Sequence, residues 1–498
     1  MSTPRGGPRA LCALFVAALL ACGIESISVS EPPDILLVTF DTLRADRVDS
    51  RGRGDRTAPG LRQLAESGVE FVEAYAPSAT TSPSHATLFT GRSPLAHGVR
   101  RNGMELDPSW STLPQVLSDR GYRTAAFVSS EVLSRRAGFA VGFDHYDDEG
   151  LAEKDRPAVE GHYGSVSARS IGRRADETVD RALAWFQRAH DHEGPLFMWV
   201  HLMDPHEPYL PPESIGDPFG ADDLEARSLE QVVAYYDTEV FSADRAFERL
   251  HENLSRAGSN RNRLTVITGD HGEEFMEHGW RSHGLHLYQE SIRVPLILHW
   301  PARLEGRRQV AERVSLQDVA PTILGLIGRE LGGEIEWHEE DRGASTGMDL
   351  SSLASGAAPE SAFRERSLYF TRRSYGDGGR VEPVSLMEFG NLVFGDGATV
   401  RGRQFAVLRG RWKYIEAAEE KPSRELYDLR EDPGERINLA GSRPDLAQAF
   451  SDQLGEWVAA ETTRRTTVPE IDQDTRKMLE EMGYVDSVPD GSSRIQRR

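Results

Sequence analysis

Short apolar runs alternate along the chain with segments whose apolar residues recur at helical spacing. The runs are rich in β-branched and aromatic residues and predict buried strands. They are ILLVTF (35–40), TAAFVSS (124–130), LFMWVHL (196–202), LTVITG (264–269) and VPLILHW (294–300). Helices are predicted between them, at APGLRQLAESG, STLPQVLSDRG and DETVDRALAWFQRAH. This alternation predicts an α/β sandwich, with a mainly parallel central sheet and helices on both faces.

The pattern changes beyond residue 330. ELGGEIEWHEEDRGAST and SYGDGGRVEP predict surface loops, whereas FAVLRGRWKYIEAA and RELYDLREDPGE predict short strands around turns. A helix is predicted at RPDLAQAFSDQLGEWVAAE. We therefore expect a catalytic α/β domain at 34–330, a C-terminal subdomain with a small antiparallel sheet at 331–460, and the end of the helix with a disordered tail at 461–498.

The first 22 residues predict an export signal. MSTPRGGPRA carries two arginines and no acid, and LCALFVAALLAC supplies an apolar core too short to span a bilayer comfortably. LLACG resembles a bacterial lipobox, which would place a lipidated Cys22 before a tether at 23–33. A plain cleaved signal peptide is the alternative. We expect an exported protein, anchored by lipid at the bacterial cell envelope or otherwise periplasmic or secreted, with no other membrane contact.

Charge and cysteine content narrow the chemistry. A formal net charge of −21 argues against a nucleic-acid partner and gives no general attraction for anions. Any sulfate or phosphate group must then be held by local positive charge. The two cysteines, Cys12 and Cys22, both lie in the leader. The folded domain therefore has no disulfide, thiolate metal ligand or cysteine nucleophile.

Polar residues follow several predicted strands directly. Asp41 comes after ILLVTF, and Asp270 with His271 comes after LTVITG. Because functional groups of open α/β sheets collect at the carboxyl ends of strands, these side chains predict a metal site with oxygen and nitrogen ligands. Mg, Ca, Mn and Zn are all compatible, with one ion expected and two allowed. The alternative is that both aspartates cap the segments that follow them.

The stretch PSATTSPSHATLFTG supplies a candidate nucleophile. A helix is predicted to start at Ser82-Pro83, which leaves Thr81 just before it. The positive helix end and a cation coordinated by the Thr81 oxygen would both favour ionisation of the hydroxyl. The alternative is that Thr81 and its neighbours are only capping and turn residues.

Several ordered motifs resemble the sulfatase family of the alkaline phosphatase superfamily. DTLRADRV and TGDHGEEFMEHG are similar to its metal-binding segments, and SPSHATLFTG resembles its signature CxPSRxxLLTG. LYQESIRVPLILHWP, RGRWKYIEA and ELYDLREDPGERINLA resemble later segments. The resemblance covers nearly the whole mature chain, and implies an alkaline-phosphatase-like fold and a divalent-metal ester hydrolase.

Two departures from that family pattern bear on the mechanism. Thr81 aligns with the residue that sulfatases oxidise to formylglycine, and a secondary alcohol cannot become that aldehyde. His85 aligns with the signature arginine. A threonine here is similar to the nucleophile of phosphoethanolamine transferases, lipoteichoic acid synthases and nucleotide pyrophosphatases. The resemblance thus implies a metal-bound threonine, and no formylglycine.

The resemblance also implies roles for other residues. His206, in HLMDPHEPY, would act on the leaving group as a general acid. His283 is the first candidate for a residue close to the substrate, and His278 and His286 are the lesser candidates. Asn102 would bind non-bridging oxygens or simply form a turn.

Three further residues have structural or supporting roles that the sequence leaves open. His85 would donate toward Thr81 or merely pack. His201 is expected to face the core, and Asp204 to orient His206 or bind a second metal.

These residues favour an exported metal-dependent hydrolase of sulfate esters, phosphate mono- or diesters, or phosphonate esters. The substrate would be a small-molecule, glycan or lipid ester. One alternative is a transferase that passes a phospho-group to a cell-envelope acceptor. Another is a weakened binding protein for sugar sulfates or phosphates, although a buried acidic cluster without a cation is costly to keep folded.

Overall fold

The computed structural model describes residues 32–49, 52–151, 159–161, 164–166, 172–189, 194–225, 228–257, 262–330, 347–357, 361–375, 402–418 and 423–462. The predicted export signal with Cys22, nearly all of the tether, most of both predicted loops and the C-terminal tail lie outside these residues. Among the helices that are described, none is long and apolar enough to cross a membrane.

The strands are β1 Asp34–Phe40, β2 Val69–Phe71, β3 Ala74–Tyr75, β4 Arg123–Phe127, β5 His145–Asp147, β6 Val159–Gly161, β7 Gly164–Val166, β8 Leu196–Leu202, β9 Arg263–Gly269, β10 Glu274–Phe275, β11 Arg281–Ser282, β12 Arg293–Val294, β13 Leu296–His299, β14 Arg308–Val310, β15 Val314–Ser315, β16 Ser367–Tyr375, β17 Gly402–Arg409, β18 Trp412–Ala418 and β19 Arg424–Asp428. The α-helices are α1 Gly54–Thr57, α2 Pro59–Ser67, α3 Thr81–Thr90, α4 Pro94–His97, α5 Leu113–Ser118, α6 Ala175–Ala189, α7 Leu229–Ala257, α8 Gln289–Ile292, α9 Val319–Glu330, α10 Ser351–Ala354, α11 Ser361–Glu365 and α12 Pro444–Thr462.

An eight-stranded sheet in the order β14-β2-β13-β9-β1-β8-β4-β5 forms the centre of the molecule. Strands β9, β1, β8, β4 and β5 run parallel, as the alternating pattern predicts. Strand β13, from the run VPLILHW, is antiparallel to both of its neighbours, β9 and β2. The sheet is therefore mainly parallel, with the antiparallel strand towards one side.

Both faces of this sheet are covered, which explains why its central strands are apolar throughout. Along β1, Ile35 and Leu37 belong to one buried cluster, which also holds residues of α3, α5 and α9. Leu36 and Val38 point to the opposite face, into a second cluster with α2, α6 and α7. The sheet therefore holds its strand ends rigidly between two hydrophobic layers.

A separate antiparallel sheet lies near the C-terminus, in the order β16-β17-β18-β19. One of its faces packs on α12 through an apolar cluster that includes Val407, Leu426 and Trp457. The other face contributes to a second apolar cluster. This cluster also holds Tyr75 of β3, which lies before α3 in the chain, and Ile292 of α8. The small sheet and helix predicted for this region are confirmed. The exact domain boundary stays a prediction.

Candidate functional site

Asp41 and Asp270 meet at the carboxyl end of the central sheet. Strands β1 and β9 pair in register up to Phe40 and Gly269, so the next residue of each strand falls side by side. The Asp270 amide donates to the Phe40 carbonyl at 3.1 Å. Both side chains are almost fully buried, at 0% and 1% exposure. The strand-end pattern therefore placed the two carboxylates correctly.

The loop after β9 holds Asp270 through one oxygen only. Its Oδ1 accepts hydrogen bonds from the amides of Thr42 (3.1 Å) and His271 (2.7 Å). Gly272 allows the tight turn, because a Cβ there would lie 1.9 Å from the Glu290 carbonyl oxygen. Oδ2 of Asp270 is left buried with no hydrogen-bond partner among the described residues.

His271 points its Nε2 at the two carboxylates and at Thr81. Its Nδ1 lies 3.0 Å from the Gly272 carbonyl oxygen, to which it must donate, so the neutral ring has its lone pair on Nε2. That atom lies 3.5 Å from Asp41 Oδ1, 3.6 Å from Asp270 Oδ2 and 3.4 Å from Thr81 Oγ1. We refer to Asp41, Thr81, Asp270 and His271 as the metal cluster.

Helix α3 presents Thr81 to this cluster. The prediction of a start at Ser82-Pro83, with Pro83 as the first helical residue, is wrong by two residues: Thr80 is extended and Thr81 is the first helical residue. Pro83 is tolerated as the third residue because amides in the first turn have no partner within the helix. Asn102 is buried beside this turn, and its Oδ1 accepts from the Ser82 amide at 2.8 Å. Asn102 thus anchors the end of the helix that carries Thr81.

His85 is held by groups other than the Thr81 hydroxyl. Its Nδ1 donates to the Thr81 carbonyl at 2.9 Å, and its Nε2 lies 2.9 Å from Thr39 Oγ1. Trp199 Nε1 donates to the same hydroxyl at 3.0 Å. Burial lowers the pKa of His85 to about 3, so the ring is neutral. Of the two roles left open by the sequence, this geometry favours packing and support of the α3 start.

His206 and His283 lie at the outer side of the cluster. Their ring centroids are 4.8 Å apart, and the His283 ring is also 4.8 Å from that of His271. Nδ1 of His283 lies 3.3 Å from both carboxylate oxygens of Glu273, which is fully buried. The structure therefore brings together both histidines that the sequence selected.

These two imidazoles have opposite protonation tendencies. Burial lowers the pKa of His206, although the Asp41 carboxylate opposes this shift. Burial also disfavours protonated His283, but the Glu273 carboxylate outweighs it and raises the pKa of His283. These shifts thus favour the neutral form of His206 and the protonated form of His283.

The remaining candidates have structural partners. His278 lies with Nδ1 2.5 Å from Glu290 Oε1 and stacks on Tyr288, and His286 lies 3.1 Å from Glu274. Asp204 Oδ2 accepts from the Ala175 amide at 2.7 Å, and its Oδ1 lies 3.0 Å from Arg174. Asp204 thus ties the His206 loop to the start of α6.

The metal cluster has the chemistry of a cation site. Neither Asp41 oxygen has a hydrogen-bond partner among the described residues, nor does Asp270 Oδ2. Burial and the Asp41 charge raise the pKa of Asp270, which shows that the two carboxylates repel each other. Oxygen and nitrogen ligands about 2.1 Å from one ion lie roughly 3.0 to 3.4 Å apart. The three oxygens lie 3.4 to 3.6 Å from His271 Nε2, and the ligand atoms of Asp41, Asp270 and His271 all lie within 4.8 Å of one another, so a single divalent cation fits after a contraction of the cluster.

Two residues near the site were missed or undervalued at the sequence level. Glu273 follows His271 by two positions. It meets His283 only because the antiparallel strands β10 and β11 bring the chain back on itself. His201 was expected to face the core. It is fully buried, as expected, but its Nε2 also lies 3.5 Å from Asp41 Oδ2. The signal for His201 was a titratable group one residue before the end of a very apolar strand.

Comparison with known proteins gives consistent matches. A family model described as Sulfatase matches residues 33–329. The ulvan-active sulfatase of Formosa agariphila is 25% identical over 389 residues, which cover 71% of this chain and 72% of the relative. A solved structure in complex with its substrate D-glucosamine-2-N,6-O-disulfate has a TM-score of 0.67 and 19% identity, covering 87% of this chain and 99% of its own. The structure of the phosphonate monoester hydrolase of Agrobacterium radiobacter has a TM-score of 0.66 and 22% identity, covering 86% of this chain and 96% of its own. These two structures confirm the predicted fold class.

Proposed function

The chain belongs to the sulfatase family and is a sulfatase-like ester hydrolase, and from this premise we propose that Thr81 is the nucleophile of a metal-dependent reaction on a singly charged ester. The observation that carries this proposal is the Thr81 hydroxyl 3.4 Å from His271 Nε2, beside two buried carboxylates with unpartnered oxygens. Enzymes of this family use a divalent metal. Asp41, Asp270, His271 and the Thr81 hydroxyl would hold it here.

A cation in the cluster would neutralise the two carboxylates and lower the pKa of the Thr81 hydroxyl, so that its proton is lost to solvent. Thr81 replaces the cysteine of the family signature, and as a secondary alcohol it cannot be oxidised to formylglycine. The hydroxyl itself is therefore the group available to attack.

The reaction has two displacements. In the first, Thr81 Oγ1 bonds to the phosphorus or sulfur, the ester bond breaks, and protonated His283 gives its proton to the departing alcohol. In the second, water bonds to the same atom, neutral His206 takes the water proton, and the bond to Thr81 breaks. The proton then passes from His206 to the neighbouring His283, which restores the starting forms of both rings. The pKa directions favour His283 rather than His206 as the acid. This assignment exchanges the role first expected of His206.

Charge balance supports a singly charged substrate. Asp41, Asp270, Glu273 and the ionised Thr81 hydroxyl contribute four negative charges, and a divalent cation with protonated His283 supplies three positive ones, which leaves a net charge of −1. A sulfate monoester, phosphodiester or phosphonate monoester then adds a single negative charge. A phosphate monoester dianion adds two in a water-poor site, which is costly. We also propose that the protein acts after export, on the strength of its leader sequence.

The test measures hydrolysis of p-nitrophenyl sulfate, p-nitrophenyl phosphate, bis-p-nitrophenyl phosphate and p-nitrophenyl phenylphosphonate by Mn²⁺-loaded protein. We expect turnover of at least one singly charged ester to exceed that of the phosphate monoester. Thr81→Val keeps the shape and removes the hydroxyl, and should lower the rate at least about 1000-fold. Thr81→Ser should retain measurable activity.

Thr80→Val is the matched control, because the Thr80 hydroxyl contacts Ser78 outside the metal cluster. It should leave turnover within about threefold of the parent rate, as expected for a change that removes no reacting group. Rapid acid quench and peptide mass analysis should find the transferred group on Thr81. A Thr81→Val variant as active as the parent would refute the proposed nucleophile and favour attack by water.

A further inference from the structure

His201 lies at the inner side of the metal cluster. It is the penultimate residue of β8, opposite Thr39 of β1, and its side chain is fully buried. Its ring makes an edge-on contact with that of His85, with centroids 5.2 Å apart. The position of the ring is therefore fixed by both the sheet and the helix that carries Thr81.

The tautomer of His201 follows from its backbone contact. The Ser129 amide donates to His201 Nδ1 at 3.4 Å. A neutral ring that accepts at Nδ1 carries its hydrogen on Nε2. That N–H lies 3.5 Å from Asp41 Oδ2 and has no hydrogen-bond partner among the described residues. It is therefore a buried donor beside a buried, unpartnered acceptor.

The two oxygens of Asp41 consequently face different groups. Oδ1 lies 3.5 Å from His271 Nε2, the nitrogen that carries the lone pair and that also lies near Thr81 Oγ1. Oδ2 lies beside the N–H of His201. A cation placed between Asp41 Oδ1 and His271 would leave Oδ2 without a partner unless His201 supplies one.

A direct metal-binding role for His201 conflicts with these contacts. His85, His201 and Asp270 each have an atom within 4.8 Å of the others, which outlines a second possible cation site. However, His85 Nδ1 must carry a hydrogen because it donates to the Thr81 carbonyl, and His201 Nε2 carries one as well. A nitrogen that carries a hydrogen has no lone pair to offer a metal.

We propose that His201 is a positioning residue of the metal centre: its Nε2–H holds Asp41 Oδ2 and leaves Oδ1 to bind the cation. This inference rests on the metal centre of the proposed function. Groups that orient a ligand in this way lock its rotamer before the metal arrives, and their loss commonly weakens metal binding about 10- to 100-fold.

The experiment measures Mn²⁺ binding by electron paramagnetic resonance of the free ion, with chelator-treated full-length protein. The two variants are His201→Gln and His201→Asn. The glutamine amide nitrogen reaches the position of Nε2 and can still donate to Asp41. The asparagine amide reaches only the position of Nδ1, so it can keep the Ser129 contact but not the Asp41 contact.

His97→Asn is the matched control. His97 is also buried, its Nδ1 accepts from the Val99 amide at 3.1 Å, and its Nε2 lies 3.0 Å from the Thr87 hydroxyl. The His97→Asn variant therefore loses a comparable side-chain contact at a position outside the metal cluster. His271→Ala removes a direct ligand and marks the affinity of a broken site. Circular dichroism shows that each variant is folded before it is titrated.

We expect His201→Gln to bind Mn²⁺ within a few-fold of the parent, and His201→Asn about 10- to 100-fold more weakly. Equal affinities of the two variants, whether both high or both low, would overturn the inference. Two Mn²⁺ ions per parent chain, with one lost in both variants, would instead make His201 a ligand. If the parent and His271→Ala bind Mn²⁺ equally, the metal centre of the proposed function itself fails.

Discussion

The buried ion pair between Lys413 and Glu435 offers a quantitative test of how the C-terminal sheet supports the site. Lys413 Nζ lies 2.7 Å from Glu435 Oε1, and both side chains are fully buried. Glu435 Oε2 also accepts from the Gln289 amide at 2.7 Å, and its carbonyl lies 3.1 Å from His278 Nε2. The pair therefore connects β18 with His278 and Gln289, which lie on either side of His283 in the chain.

Replacing Lys413 by Met leaves the Glu435 carboxylate buried without a counter-charge. Burial already raises the pKa of Glu435 even with the Lys413 ammonium present. Without Lys413 the side chain is expected to take up a proton. From its ordinary pKa of 4.5, protonation at pH 7 costs about 3 kcal/mol, at about 1.36 kcal/mol per pH unit.

The same arithmetic fixes the pH dependence. Because the pKa of Glu435 is higher in the folded than in the unfolded variant, the variant gains stability relative to the parent as pH falls towards 4.5. Between pH 7 and pH 5.5 the deficit of Lys413→Met should shrink by at most about 2 kcal/mol, because the raised pKa of Glu435 in the parent gives the parent part of the same gain. Urea unfolding followed by tryptophan fluorescence at both pH values measures it.

The double variant Lys413→Met/Glu435→Gln is the matched control. It removes both charges while the glutamine oxygen can still accept from the Gln289 amide, so it should recover most of the lost stability and the pH dependence should disappear. The reasoning is refuted if the double variant is less stable than Lys413→Met at pH 7, or if the deficit of Lys413→Met is the same at both pH values.

Three further changes test the site. Asp270→Asn should raise the melting temperature of the metal-free protein, because it relieves repulsion with Asp41. Mn²⁺ should add nothing to the thermal stability of this variant, and scanning fluorimetry measures both effects. His85→Arg should destabilise the protein by about 3 kcal/mol or more in urea, because the fully buried ring is neutral and a longer, charged guanidinium would have to be fitted into its place. The rate should fall at alkaline pH as His283 loses its proton and at acid pH as His206 gains one, and a pH profile of His283→Gln should lack the alkaline limb.

The fold and the placement of Asp41 beside Asp270 could be predicted from the sequence because both depend on strands that are apolar throughout. Such strands are buried on two faces, and where neighbouring ones run parallel, the residues that follow them lie side by side at one edge of the sheet. Asp41 and Asp270 obey this rule directly. The start of α3 was less readable, since an extended Thr80 and a proline at the third helical position are both compatible with the local pattern.

The supporting groups could not be read in the same way, because their partners come from distant segments. Glu273 and His283 are brought together by the antiparallel pairing of β10 with β11. His201 reaches Asp41 only through the pairing of β1 with β8. Tautomers add a further layer that no sequence pattern encodes. The Gly272 carbonyl gives His271 its free lone pair, whereas the Ser129 amide gives His201 a hydrogen at the equivalent atom. Two buried histidines beside the same aspartate are thus suited to different tasks, one to bind a cation and one to hold the carboxylate that binds it.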